Sequence, residues 1–258
     1  MTNQLHIERN GPIATLVFNR AEKKNSFSLA MFKQLGQILE ELEKDTSIKL
    51  LILKGVDETS FSSGADITEF LENRFSAEKA KAYNDLTLES VEKLYRFPKP
   101  TIALIKTLAI GGGLELANSC DFRFASAGSK LGITAANIGI IYNLTSTKRL
   151  VNLIGPSKAK ELLYTAKLIS AEEGQEIGLI DYVFPMEEVE EECLIFANKI
   201  VSKSSTANNG IKQVIQSILD GENEETLEIE QLILDSFSSK DYTEGIQAFL
   251  EKRKPNFT

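Results

Sequence analysis

Cysteine occurs only twice in the 258 residues, at Cys120 and Cys193, and histidine once, at His6. Two cysteines cannot build a disulfide framework or a zinc cluster, so a reducing compartment is the simplest setting and each thiol is expected to pack as a small buried hydrophobe. With its one histidine in the opening strand and no Gly-x-Ser-x-Gly elbow, the chain offers no Ser-His pair for a hydrolase built on Ser62 or Ser63. Gly-x-Gly-x-x-Gly and Gly-x-x-x-x-Gly-Lys-Ser/Thr are both missing, which argues against dinucleotide binding and a P-loop. No apolar run approaches the roughly 18–20 residues needed to span a bilayer, and the opening MTNQLHIE has no basic-then-apolar leader, so a cytoplasmic location is expected. The glycosylation sequons at Asn143-Leu144-Thr145 and Asn256-Phe257-Thr258 are then chance matches. Basic residues are in deficit, 29 against 37 acidic, for a net charge of −8. Such a surface repels phosphate backbones and anionic headgroups, leaving nucleic acid and membrane as poor partners.

What is present is a globular composition, 42% hydrophobic and 26% charged, with length for one large domain or two small ones. Leu5 and Ile7 alternate with polar neighbours, Asn10-Gly11 is a hairpin dipeptide, and Ile13–Phe18 returns, predicting an antiparallel pair. Ser28 caps a helix carrying Met31, Phe32, Leu35, Ile38, Leu39 and Leu42 on one stripe and ending near Asp45. Leu50-Leu51-Ile52-Leu53 reads as a strand buried on both faces. A loop through Phe61-Ser62-Ser63-Gly64-Ala65-Asp66 leads to a helix over about 76–95. A further strand begins at Thr101 and ends at Ala109-Ile110 before Gly111-Gly112-Gly113, and Phe122–Ala125 alternates as another. Ser170-Ala171-Glu172-Glu173 matches a capping box. From Glu187 onward the pattern is helical. Alternating strands and helices predict an α/β core with an α module appended from about residue 197, whose apolar Phe237, Tyr242, Ile246, Phe249 and Leu250 require a neighbour.

Two places bring glycine and backbone donors together. The turn Ser63-Gly64-Ala65-Asp66 precedes a helix and can leave the Ala65 N–H unpaired, because helix starts carry orphan donors. At Gly111-Gly112-Gly113 the missing Cβ atoms let a ligand approach the main chain, and the helix dipole favours a negative oxygen there. Together they would form an oxyanion hole. Glu115 sits three residues after Gly112, on the same helical face, flanked by Leu114, Leu116 and Ala117. Desolvation there would raise its pKa and suit it to moving a proton; an ordinary solvated glutamate near a helix start fits the spacing equally well.

Asn19-Arg20-Ala21-Glu22-Lys23-Lys24-Asn25, Phe61–Asp66, Gly111–Ala117 with Cys120-Asp121, Gly178-Leu179-Ile180-Asp181 and the ending from Phe249 to Phe257 together resemble the crotonase (enoyl-CoA hydratase/isomerase) superfamily. The resemblance runs nearly the length of the chain. It implies a crotonase-like α/β spiral of repeated β-β-α units over residues 1–196, binding acyl-coenzyme A thioesters, and a helical trimerisation module over 197–258, assembled as a homotrimer or a dimer of trimers. It also implies an enzyme that needs no cofactor or metal, coenzyme A being part of the substrate. The thioester oxygen would lie between the N–H groups of Ala65 and Gly112, next to Gly111, with Glu115 as the acid or base. Ser63 would contact adenine and Asp66 would order the loop. Lys24, Phe249 and Lys252 would meet the nucleotide, the last two from the final helix across a subunit boundary.

Hydratases of this superfamily use two glutamates. The aligned stretch Leu131–Gly139 puts Ala135 at the second position, and no acid occurs between Asp121 and Glu161. Moving a double bond from C3 to C2 needs one base and a held enolate, so isomerisation is favoured. The alternatives are hydration of a 2-enoyl-CoA, decarboxylation of a malonyl-type thioester, and a coenzyme A-binding homologue with reduced catalysis. Tyr142, with Thr134, Asn137 and Asn143, is expected along the acyl pocket.

Overall fold

The Asn10-Gly11 dipeptide closes an antiparallel hairpin of β1 (Leu5–Asn10) and β2 (Ile13–Phe18), with Gly11 at φ 56° in the turn. The computed structural model describes residues 4–257; Met1 to Asn3, in the stretch searched for a leader, and Thr258, which completes the second sequon, lie outside them. From β2 the chain coils in repeated turns, each made of a strand in a large sheet, an extended segment pairing separately, and a helix. The first turn is β2, a bridge at Phe27 and α1 (Leu29–Lys44); the second is β3 (Leu50–Gly55), a bridge at Ser62, then α2 (Phe70–Asn73) and α3 (Ala77–Tyr95). The third is β4 (Thr101–Ile105), β5 (Leu108–Ile110) and α4 (Gly112–Asn118); the fourth is β6 (Phe122–Ser126), β7 (Lys130–Gly132) and α5 (Leu144–Thr165). There follow β8 (Ile169–Ser170), α6 (Ala171–Glu176), β9 (Tyr182–Phe184), α7 (Val189–Val201), α8 (Ser205–Asp220), α9 (Leu227–Ser236) and α10 (Lys240–Leu250). This is the β-β-α architecture with helical C-terminal region that the resemblance implies.

The large sheet has the order β1-β2-β3-β4-β6-β9, parallel beyond the first hairpin, and the small sheet the order β5-β7-β8. Leu50–Leu53 of β3 and Ile102–Ile105 of β4 are apolar without a break because both faces are covered. Leu51, Leu53, Ala103 and Ile105 join the main core, while Leu50, Ile52, Ile102 and Leu104 pack in a second core with Val189, Cys193 and Ala197 of α7. The boundary between residues 196 and 197 therefore falls inside a helix seated on the sheet. Cys120 and Cys193 are free and buried, and burial pushes both thiols up to about 12.

Ser28 caps α1, accepting from the Met31 N–H at 3.2 Å, and Ser170 and Glu173 form the reciprocal capping box of α6. Two local readings need correction, and one helix went unread. The stretch from Thr101 to Ile110 is two strands, since the chain leaves the large sheet at Lys106-Thr107 and enters the small one. The alternation in β6 is deceptive: Arg123 is buried, paired through Nη2 with Asp181 Oδ2 at 2.8 Å and donating to the carbonyls of Cys120 and Leu179. The long α5 is interrupted at Gly155, at φ 73°, and Pro156, which hides its periodicity. No helix among the described residues is long and apolar enough to cross a membrane.

Candidate active site

The second and third turns of the coil are stacked in register at the start of the small sheet: Phe61 N–H donates to Leu108 O at 2.9 Å and Ile110 N–H to Ser62 O at 3.0 Å. The corners where these turns leave for their helices, Gly64-Ala65 and Gly111-Gly112, are therefore neighbours. A Cβ placed on Gly64 would stand 2.9 Å from the Gly112 nitrogen, and one on Gly112 would stand 3.4 Å from the Ala65 nitrogen. Gly64, at φ 93°, also holds a conformation that L side chains rarely adopt. The adjoining amides are committed: Gly64 N–H donates to Ser62 Oγ, Asp66 N–H to Phe27 O and Gly111 N–H to Gly132 O. The N–H groups of Ala65 and Gly112 are left free by this pattern, side by side, the second at the start of a helix. Two such donors can hold an oxyanion.

Asp66 locks the first corner from behind. Its carboxylate accepts from the Thr68 N–H at 3.1 Å and the Thr68 hydroxyl at 2.6 Å, and pairs with Arg20 Nη2 at 2.7 Å. Burial pushes the carboxyl up, but the Thr68 and Arg20 contacts outweigh it and hold the group below its ordinary value. Asn25 ties the same loop to its neighbours, accepting from Arg20 N–H and donating to Ser60 O.

Glu115 projects from α4 beyond this corner while Leu114, Leu116 and Ala117 turn into the core. The carboxylate meets the start of α5 instead, where Tyr142 Oη donates to Oε2 at 2.9 Å and Ser146 Oγ donates to Oε1. Burial raises the Glu115 pKa, and the hydroxyls of Ser146 and Tyr142 offset this only in part. Among the described residues no cation is bonded to the carboxylate, so the protonated form is favoured relative to a glutamate in water. The Tyr142 phenol is in turn pushed well up by burial and by Glu115.

A cleft of about 650 Å³ connects these groups. Ser63, Ala65, Gly111, Gly112, Glu115, Ala135 and Tyr142 all line it, and Ala135 opens a short helical turn with no acidic side chain beside it. Lys24 stands outside the lining, though its carbonyl accepts from the Ser63 N–H at 3.0 Å. Asp66 also stands outside, its carboxylate spent on the loop. Phe249, 81% exposed, and Lys252, at φ 54°, lie at the far end of α10 and do not reach the cleft within one chain. Ser146 escaped the sequence reading, although Asn143 as cap of a helix would have put it in the first turn; the Asn143 side chain accepts from its N–H at 2.9 Å. Among the described residues no three His, Cys, Asp or Glu side chains converge as metal ligands.

Comparison with known proteins decides the family. The profile of the enoyl-CoA hydratase/isomerase family matches residues 8–258. The chain belongs to that family. A crotonyl-CoA hydratase of Syntrophomonas wolfei is 34% identical over 252 residues, 97% of this chain and 96% of the relative. A short-chain-enoyl-CoA hydratase of Clostridium acetobutylicum is 33% identical over 253 residues, covering 98% and 96%. The crystal structure of an enoyl-CoA hydratase from Bacillus anthracis superposes with a TM-score of 0.92 at 33% identity, covering 99% of each chain. The protein is thus an acyl-CoA enzyme of the hydratase/isomerase type on the crotonase fold.

Proposed function

We propose that this family member moves a double bond from C3 to C2 of an enoyl-CoA, with Glu115 as the only proton carrier. The observation that carries the reading is the carboxylate inventory of the cleft. Its lining holds two acids, Glu115 and Asp85, and Asp85 is bound to Lys81 at 2.5 Å on the exposed side of α3, while Ala135, the residue that the resemblance sets at the second acid's position, lines the cleft without a carboxyl group. The thioester oxygen would rest against the Ala65 and Gly112 N–H groups. Glu115 takes a proton from C2, negative charge spreads from the thioester oxygen to C4, and the same carboxyl returns the proton to C4. The electron pair of the C2–H bond becomes the new C2–C3 double bond, and no atom is gained or lost. Tyr142 and Ser146 hold the carboxylate in place, and its raised pKa brings its proton affinity nearer to that of the enolate.

Hydration is the second reading, favoured by the names of the two relatives described above. It requires one group to activate water and another to place a proton at C2, which Glu115 and its two hydroxyl partners would have to divide. We also propose that the chain assembles as a trimer or dimer of trimers, bringing Phe249 and Lys252 to the nucleotide end of a neighbour's ligand, with Lys24 and Ser63 beside the adenine. Purified protein assayed with a 3-enoyl-CoA, a 2-enoyl-CoA and a malonyl-type thioester tests the chemistry. Isomerisation should be the fastest of the three, and Glu115→Gln should lower it about 10²–10⁴-fold. Faster hydration or decarboxylation overturns the assignment, as does a Gln variant as active as the parent.

A further inference from the structure

The far wall of the same cleft holds a cation without an anion. Arg74 follows α2 and lines the cleft with Phe70 and Tyr83. Its guanidinium carbon lies 4.0 Å from the centroid of the Phe70 ring and 4.5 Å from that of Tyr83, so two aromatic faces fix its position. Its Nε is buried without a hydrogen-bond partner, and so is the hydroxyl of Tyr83, a residue only 3% exposed. Each nearby acid is engaged elsewhere. Asp66 pairs with Arg20, Glu69 Oε2 accepts from the Leu29 N–H at 2.8 Å, and Asp85 pairs with Lys81. Burial lowers the Arg74 pKa and raises that of Tyr83 to about 12, as expected for groups stripped of water without compensation. Leaving a buried guanidinium donor and a buried phenol unpaired is costly, and an anion entering the cleft would satisfy both.

The geometry points to recognition of an acyl chain that ends in a carboxylate, its terminal oxygens accepting from the Arg74 guanidinium and the Tyr83 hydroxyl while the thioester end lies at Ala65, Gly112 and Glu115. This rests on reading the cleft as the acyl site, and it names the class of acyl group selected there. Contact with these two edge-to-face rings orders the donor before the ligand arrives, which is the condition under which a charge-assisted bond adds affinity instead of ordering cost. A simple alkanoyl chain would leave the same donors buried and unsatisfied.

Isothermal titration of the full-length protein with two saturated thioesters, glutaryl-CoA and pentanoyl-CoA, separates this inference from the catalytic reading, because neither ligand can isomerise. Glutaryl-CoA should bind about tenfold tighter or more. Arg74→Gln should abolish the preference by weakening glutaryl-CoA alone, Arg74→Lys should keep part of it, and Tyr83→Phe should reduce it several-fold. Retained pentanoyl-CoA affinity certifies that the variants fold; if Arg74→Gln does not fold, the parental ratio and the Lys variant decide. Equal affinity for the two thioesters in the parent overturns the inference alone. So does an Arg74→Gln variant that weakens both thioesters and free coenzyme A alike, since Arg74 would then serve the nucleotide. Binding of neither thioester overturns the acyl-site reading as well.

Discussion

Tyr142 donates its phenolic proton to Glu115 Oε2 at 2.9 Å, from the segment that leads into α5 to a carboxylate carried on α4. Two successive turns of the coil are thereby joined at the proposed proton carrier. The bond favours the ionised carboxylate against burial, so its removal should move the Glu115 pKa further up. In Tyr142→Phe the acidic limb of the kcat/KM profile should shift to higher pH and kcat at neutral pH should fall about tenfold. A pH–rate profile of the parent and variant checks this; an unchanged limb would detach Tyr142 from the proton carrier.

Glu115 should also cost the protein stability. A carboxyl whose folded-state pKa lies above its unfolded value binds its proton more tightly in the native state. Its stabilising contribution is full below the unfolded pKa and is lost as pH rises through the folded one. Glu115→Gln should therefore melt higher than the parent near pH 8, by about 2–4 °C for each kcal/mol recovered, and the gap should close in acid. Thermal melts across pH 4–8 measure it.

Asp66 behaves with the opposite sign. Its pKa is held below the ordinary value, so its contribution is present above the unfolded pKa and disappears as pH falls through the folded one. Asp66→Ala removes the 2.7 Å partner of Arg20, which keeps Ser26 O and the more distant Glu22, and should cost about 1.5–3 kcal/mol at pH 7, with the difference from the parent shrinking only in acid. Because the loop it holds carries Ala65, kcat should fall as well. Denaturant titration at pH 7 and in acid, with turnover measured in parallel, tests both statements.

Gly64→Ala is expected to damage catalysis more than its size suggests. The added methyl would press on the Gly112 nitrogen and on Ile110 O, each 2.9 Å away, and spread the two donors. A loss of about 10²–10³ in kcat is expected, the scale of removing one oxyanion donor. Steady-state kinetics against an unchanged far-ultraviolet spectrum distinguishes this from unfolding.

Light scattering at micromolar concentration should give the mass of three or six chains. Lys252→Glu should then raise KM for acyl-CoA several-fold with little effect on kcat, since the side chain would touch only the nucleotide. A monomer with parental KM would remove Phe249 and Lys252 from the binding site.

How much of this was legible in the sequence depends on the range over which each feature is determined. The Ser28 cap, the Ser170 capping box and the Asn10-Gly11 turn are set by residues within four positions of one another, and local chemistry suffices for them. Which sheet a short apolar segment joins is a long-range matter, so β4 and β5 read as one strand. Arg123 looks like an outward residue because the pattern cannot show Asp181, 58 positions away, meeting it inside. In the site, the glycine corners and Glu115 could be picked out by type and spacing. The hydrogen-bond partners of Glu115 could not, because Tyr142 and Ser146 are 27 and 31 positions distant. Arg74 was least visible of all, since its significance lies in acids that pair with other residues.

The donors at Ala65 and Gly112 belong to corners of adjacent coils, whereas Arg74 and Tyr83 lie in the helical limb of one of them, just after α2 and on α3. On the proposed reading, chemistry and selectivity are written in separate parts of the chain. Exchanging residues 67–76, ahead of the α3 side chains that join the core, should then change the preference for the tail of the ligand while the two amides keep their alignment.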